Sequence, residues 1–160
     1  MSLRKIFLKN KFTYKIYLFY NLYIRHKAFL KRVSYSQWGE DLEIIKFFKN
    51  KKKGEYLDIG CFHPLMYSNT CLLNQKGWRG TNIDLNQTTI DLFNILRPKD
   101  LNLCRIIGSA EKKVKVYFDS LFSPVNTADK TFYNNHKNKF FKDVFIREVA
   151  AQKLNNIIGK

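Results

Sequence analysis

The sequence EYLDIG, residues 55–60, decides the fold. Tyr56, Leu57 and Ile59 favour a β-strand, and Gly60 ends the run in a turn. Around this strand, helical and strand patterns alternate along the chain. The patterns predict helices at 42–49, 70–76 and 88–96, and strands at 78–84, 101–107 and 114–118. Such alternation predicts an α/β fold in which right-handed crossovers connect the strands of a parallel sheet.

Polar residues stand at the ends of the first two predicted strands. Asp58 precedes Gly60, and Asp84 ends the second strand 26 residues later. In doubly wound folds, ligands bind beyond the carboxyl ends of the strands. A glycine lets the backbone approach a ligand closely, and a carboxylate on the second strand can accept hydrogen bonds from both ribose hydroxyls. These residues therefore predict a nucleoside-binding site, with a structural glycine and a surface aspartate as the alternative.

The residues after Gly60 narrow the class of nucleoside. The sequence continues CFHPL at 61–65, so the G-x-G-x-x-G fingerprint of dinucleotide binding is absent, and no G-x-x-x-x-G-K-[ST] loop occurs in the chain. Both glycine-rich motifs hold phosphate groups. A nucleoside cofactor without a pyrophosphate fits better, and S-adenosylmethionine (SAM) is the common one. A nicotinamide-dependent Rossmann protein is the competing enzyme class.

Four linked motifs follow one another between residues 36 and 84. They are SQWGED at 36–41, YLDIG at 56–60 with His63-Pro64, SNT at 68–70 followed by GWRG at 77–80, and the pair Ile83-Asp84. In order and spacing they resemble the motifs of FkbM-type SAM-dependent methyltransferases. The resemblance implies a Rossmann-like class I methyltransferase fold with SAM as cofactor. It also implies methyl transfer to a hydroxyl of a sugar or small-metabolite acceptor.

The resemblance also implies roles for individual residues. Gly60 would approach the methionine part of SAM, Asp58 would orient the loop or the cofactor amine, and Asp84 would hold the ribose. Asn69 would cap a helix near the cofactor. Ser109, placed at the end of the predicted third strand, would lie near the adenine.

Other polar residues of the motifs have two interpretations. Gln37, Glu40 and Asp41 would line the cofactor or acceptor cleft, and the alternative is that Glu40 and Asp41 cap the following helix. His63 is a candidate general base, although a structural role is the stronger alternative. The catalytic base is therefore not identified from the sequence.

Positive charge is concentrated at the start of the chain. The net charge is +16, nine of the 29 lysines and arginines lie in residues 1–33, and Glu40 is the first acidic residue. Ile16, Phe19, Tyr20, Tyr23 and Ile24 follow helical spacing. Residues 1–33 are therefore predicted to be a helical leader that anchors peripherally to an anionic membrane surface, and residues 34–160 to be a partial methyltransferase domain. A helix packed on the domain is the main alternative, and nucleic-acid binding is less favoured.

Cysteine usage and apolar runs bear on the compartment. Cys61, Cys71 and Cys104 are odd in number and lack metal-ligand spacing, which argues against a disulfide framework or a metal site. No apolar run in the leader approaches the ~20 residues of a membrane span, and no secretory signal is recognisable. A reducing cytoplasm, with peripheral membrane attachment, is the expected location.

The end of the chain carries weaker signals. No strand is predicted after residue 118, residues 149–158 resemble a helix, and the D-x-E-G element of the family's fourth strand does not occur between residues 119 and 160. We therefore expect a fold that stops before its fourth strand and leaves the edge at Leu57 and Ile59 unpaired. Such a chain is expected to be poorly soluble and inactive in transfer. An inactive remnant or a basic surface-binding module is the alternative function.

Overall fold

The computed structural model describes residues 10–120, 122–141 and 144–158, which form an α/β fold with two small sheets. The helices are α1 Lys11–Tyr20, α2 Glu40–Phe47, α3 Cys71–Gln75, α4 Gln87–Leu96, α5 Lys130–Phe140 and α6 Asn155–Ile158, with a π-helical turn Asn21–Arg25 and a 3-10 turn Lys27–Phe29 after α1. The strands are β1 Glu55–Ile59, β2 Arg79–Asp84, β3 Leu101–Cys104, β4 Ile106–Ile107, β5 Lys112–Phe118 and β6 Phe145–Gln152.

The first sheet has the predicted parallel arrangement. Its order is β1-β2-β3, with Ile59 aligned to Ile83 and Asp84 aligned to Cys104. Helices α3 and α4 form the two crossovers between the strands. Asn86 caps the start of α4, because its side chain accepts a hydrogen bond from the Thr88 amide. This parallel sheet with flanking helices is compatible with a Rossmann-like fold.

The two faces of this sheet differ in polarity. The face covered by α3 and α4 carries polar side chains: Asn74 of α3 donates to the Tyr56 hydroxyl, and Asn102 donates to Asn94 of α4. On the opposite face, Leu57, Ile59 and Leu101 are 41%, 49% and 51% exposed. Parallel sheets are normally covered on both faces. Ile83, on the same face as Ile59, is nevertheless buried, so the described residues cover this face only in part and leave it open at β1 and at the start of β3.

The edge of β1 is also free. Within the part of the chain that the structure describes, β1 pairs with β2 alone, so the expected unpaired edge at Leu57 and Ile59 is confirmed. A free edge next to an apolar face favours association with other chains.

The second sheet corrects three expectations from the sequence. The predicted third strand divides at Arg105: β3 ends at Cys104, and Ile106–Ile107 pairs instead with β6. The helix predicted at 149–158 is present only as α6, Asn155–Ile158, because Phe145–Gln152 is a strand antiparallel to β5; the expectation of no strand after residue 118 is wrong. Alternate residues of β6 explain the strand. Phe145, Val149 and Ala151 pack on the β5 core, and this burial overrides the helical preference of the alanines.

One face of the predicted leader packs on the domain. Leu18 and Leu22 are buried in a cluster with Leu92 of α4 and Phe122. The Tyr14 hydroxyl donates to Asp91 of α4 at 2.6 Å. Residues 10–29 therefore contribute to the core, as the alternative interpretation required. Residues 1–9 of the predicted leader lie outside the described residues.

Candidate functional site

A cleft lies at the carboxyl ends of the parallel strands. It has a volume of about 290 Å3, and its walls come from the ends of β1 and β2, from β4, and from residues 123–128. Small-molecule sites typically measure roughly 300–1,000 Å3, so this cleft is at the lower end of that range. Its position agrees with the rule for open parallel sheets, in which ligands bind beyond the carboxyl ends of the strands.

Asp84 is the acidic group of the cleft. Its two carboxylate oxygens accept from the backbone amides of Phe62, at 3.0 Å, and Asn86, at 2.8 Å. Burial raises the pKa of Asp84 to about 6, although these two hydrogen bonds act in the opposite direction. Each carboxylate oxygen has two lone pairs. After the backbone bonds, Asp84 can therefore still accept a hydrogen bond on each oxygen.

The turn after β1 brings backbone close to Asp84. Gly60 lines the cleft with a φ of +75°, a conformation that strains residues with a Cβ, and its amide donates to the Ile83 carbonyl at 2.8 Å. Phe62 also lines the cleft and has a φ of +51°. A non-glycine residue held in this region is strained by ~1–3 kcal/mol, and such residues cluster at functional sites. The turn and Asp84 therefore lie together in the lining of the cleft.

Asp58 belongs to a different network. Its carboxylate accepts from the Thr70 hydroxyl at 2.6 Å, and Thr70 accepts from the guanidinium of Arg97 at 2.8 Å. Burial raises the pKa of Asp58, while the Thr70 bond and the charge of Arg97 oppose the rise. Asp58 lies on the polar face of the sheet and is not among the residues that line the cleft. It can position the loop before α3, which is one of the two roles expected of it.

Arg97 holds this network together, and the sequence analysis missed it. The side chain is 3% exposed and donates to the Pro64 carbonyl, the Ser68 hydroxyl and Thr70. Its guanidinium also lies 4.7 Å from the centre of the Phe93 ring. A buried cation with this many acceptors ties the loop after β1 to the end of α4. The sequence signal that could have identified Arg97 is its position directly before a proline that stops the helix.

The SQWGED segment forms a helix start, not a cleft wall. Asp41 is buried and accepts from the Ser34 hydroxyl, the Tyr35 amide and the Ser36 hydroxyl. Glu40 accepts from the Trp38 amide. Gln37 is exposed and lies outside the cleft lining. The two acids lie in the first turn of α2, where a negative charge suits the helix N-terminus, and Gln37 is not brought to the cleft.

Two further predicted positions are corrected by the structure. Asn69 is exposed and does not cap α3, whose N-cap position is Thr70. Ser109 is exposed in the bend between β4 and β5 and does not line the cleft. Its placement near the adenine assumed a third strand that ran to residue 107. Because β3 ends at Cys104, the chain has already entered the second sheet before Ser109.

His63 has a structural role in this fold. Its ring is fully buried, and Nδ1 accepts from the amides of Leu65 and Met66 at 3.1 and 3.0 Å. Burial, and next the neighbouring His26, lowers the pKa of His63 to about 3. His63 does not line the cleft. A ring held in this way shapes the turn after Gly60 and is poorly placed to take a proton from an acceptor.

The cleft also contains residues that the sequence analysis did not single out. Arg105 contributes a cation, Ile106 an apolar wall, and Ser123 and Asn126 polar groups. All four residues follow β3 in the chain, in a region whose sequence matches no clear motif. They come close to Asp84 only because the second sheet forms, and the local sequence pattern does not predict that sheet.

The three cysteines are Cys61, Cys71 and Cys104. All three are free thiols; Cys61 and Cys71 are buried, and burial raises the pKa of both. Among residues 10–120, 122–141 and 144–158, no group of three or more His, Cys, Asp or Glu could hold a metal ion.

Comparisons with models of protein families, with curated proteins and with solved structures find no match to this chain. The methyltransferase resemblance therefore depends on the motifs at residues 36–84 alone.

Proposed function

We propose that this chain carries the SAM-binding part of an FkbM-type methyltransferase, a family whose reaction would be methylation of a hydroxyl of a sugar or small metabolite. One observation carries the proposal: Asp84 ends β2 beside the Gly60 turn, and both line the cleft at the carboxyl ends of the sheet. The resemblance of residues 36–84 supplies the family and the class of acceptor.

The composition of the cleft supports a nucleoside ligand. Asp84 keeps one acceptor site on each oxygen after its two backbone bonds, which suits the paired hydroxyls of a ribose. Ile59 and Ile107 offer apolar surface to a purine base, and Arg105 offers a cation to the ligand's carboxylate. The turn at Gly60 lacks the glycine-rich phosphate loop. The chemistry favours a nucleoside with an amino-acid tail over a dinucleotide.

The chain's own contribution to the reaction would be alignment. Bound SAM supplies an electrophilic methyl group on a sulfonium. Asp84 and the Gly60 turn would hold the nucleoside part in one orientation, and such preorganisation accounts for much of the rate of a transfer between two bound partners. A hydroxyl acceptor also needs a base for its proton, and the buried Nδ1 contacts of His63 argue against that residue.

A thermal-shift comparison tests the proposal. A ligand that binds the native state raises the melting temperature, and at a hundred times its Kd it adds about 2.7 kcal/mol to the stability. SAM and its demethylated product S-adenosylhomocysteine should raise the melting temperature, and NAD should not. Asp84→Ala should remove the shift. Glu55→Ala, at the opposite end of β1 and exposed, is the matched control and should retain it. A shift with NAD but not with SAM would overturn the proposal.

A further inference from the structure

The outer face of α1 and the following π-helical turn exposes an apolar stripe. We define the leader stripe as six side chains that are between 41% and 69% exposed: Phe12, Ile16, Phe19, Tyr20, Tyr23 and Ile24. Counting about 100° per residue, they lie on one side of the helix. The opposite side carries Tyr14, Leu18 and Leu22, which pack on the domain. The leader stripe therefore takes no part in the packing of this helix on the described part of the domain.

Single exposed apolar residues are ordinary on a protein surface, but a contiguous stripe is not. In a surface helix of a monomer, the side that faces water is normally polar. Here Phe19 and Tyr23 instead stack on each other in the open, with ring centres 5.8 Å apart. This arrangement is typical of a helix that packs on its own domain with one apolar side and binds a partner with the other.

The charges around the leader stripe indicate the chemistry of that partner. Lys11, Lys15, Arg25 and Lys27 are all exposed along the same stretch. No acidic residue precedes Glu40 in the sequence. The partner must therefore accept aromatic side chains and positive charge together.

We propose that the leader stripe docks the protein on an anionic lipid bilayer, with the helix parallel to the membrane plane. The apolar side chains would enter the boundary between headgroups and acyl chains, and the four basic residues would lie against anionic headgroups. Tyrosine suits this depth because its ring is apolar and its hydroxyl can remain hydrated. Attachment is peripheral: none of the helices in the described ranges is both long and apolar enough to span a bilayer.

Two other partners fit the same surface less well. A second copy of the chain would bring two positively charged helices together, and the net charge of +16 opposes that contact. A nucleic acid would satisfy the lysines but would leave most of the apolar side chains in water. A bilayer satisfies both sets of side chains at once.

Vesicle sedimentation of the full chain tests the proposal. Vesicles of phosphatidylcholine with about 30 mol% phosphatidylserine provide the anionic surface, and pure phosphatidylcholine is the neutral comparison. Phe19→Ser should lower partitioning by about tenfold, because it removes a large apolar side chain from the boundary. Lys15→Glu should lower it by about fivefold or more, since each basic residue near such a surface contributes about 1 kcal/mol. Added salt should weaken the lysine effect.

The controls separate docking from folding. Phe19 and Lys15 are exposed, so both variants should keep the melting temperature of the unmodified chain, and Ile24→Ser serves as a second apolar variant. Ile146→Ser removes an apolar side chain of similar exposure, 52%, from β6 and should partition like the unmodified chain. Equal binding to neutral and anionic vesicles, or unchanged partitioning in both apolar variants, would overturn the proposal. The proposal would also be overturned if the chain did not bind vesicles and instead formed concentration-dependent dimers, or bound nucleic acid, in a way that Phe19→Ser abolished.

Discussion

Replacing Asp84 by asparagine tests whether the cleft buries an ionised carboxylate. The folded-state pKa rises from 3.8 to about 6 because the group is buried. Between these values the folded protein keeps a proton that the unfolded chain has already released. Stability therefore falls as pH rises through this window and levels off above about pH 6. Since one pKa unit corresponds to about 1.4 kcal/mol, the full effect is at most about 3 kcal/mol.

The measured quantity is the difference in unfolding free energy between the unmodified chain and Asp84→Asn. Asparagine does not titrate, and the other titrating groups, including His26 and His63, are common to both proteins. Between about pH 4 and about pH 7, the unmodified chain should lose about 2.5 kcal/mol of unfolding free energy relative to Asp84→Asn. Urea denaturation at several pH values measures this difference. A difference that stays constant within about 0.5 kcal/mol would refute the buried charge.

Three other substitutions follow from the same structure. Gly60→Ala should cost about 1–2 kcal/mol of stability, because alanine is strained at a φ of +75° even though the space beside Gly60 is open, and chemical denaturation would detect it. Arg97→Met should lower the stability by about 3 kcal/mol or more, because Thr70 and the other buried partners of Arg97 lose their hydrogen-bond donor. Arg79→Met, at an exposed position, is the control and should change the melting temperature little. Leu57→Ser should cost about 1 kcal/mol of stability, because the leucine is only 41% exposed. It should also reduce self-association in light scattering, since it makes the partly covered sheet face more polar; increased association would contradict the role of that face.

The first sheet could be predicted because its signals are local. EYLDIG and the stretch at 78–84 each combine a strand pattern with flanking turn residues, so neighbouring residues suffice to define β1 and β2. Asp84 was predicted for the same reason: its position at a strand end follows from the strand itself. The position of the cleft follows from the rule for parallel sheets, whereas its walls at Ile106 and at residues 123–128 depend on the second sheet.

The second sheet could not be predicted because β6 depends on a distant partner. Residues 150–154, AAQKL, favour a helix when taken alone, and only pairing with β5 and β4 makes residues 150–152 extended. Ser109 was misplaced as a consequence. Arg97 was missed because its acceptors, at Pro64, Ser68 and Thr70, lie about 30 residues away and meet it only after folding.

The leader shows a different limit of the sequence. Both sides of α1 carry apolar residues at helical spacing, so periodicity predicts the helix but does not show which side is buried. The more regular set, from Ile16 to Ile24, is the exposed one. Leu18 and Leu22 are buried because Leu92 and Phe122 provide the cavity that they fill.

Isothermal titration of SAM into the folded chain tests the central claim most directly, with Asp84→Ala and Glu55→Ala measured beside it. The account predicts saturable binding of one SAM per chain. Asp84→Ala should weaken it by about 1.5–3 kcal/mol, or roughly ten- to a hundredfold in Kd, because hydrogen bonds to a charged group are lost. Glu55→Ala should bind like the unmodified chain. Absence of SAM binding by the folded chain, or equal affinity in Asp84→Ala, would contradict the account.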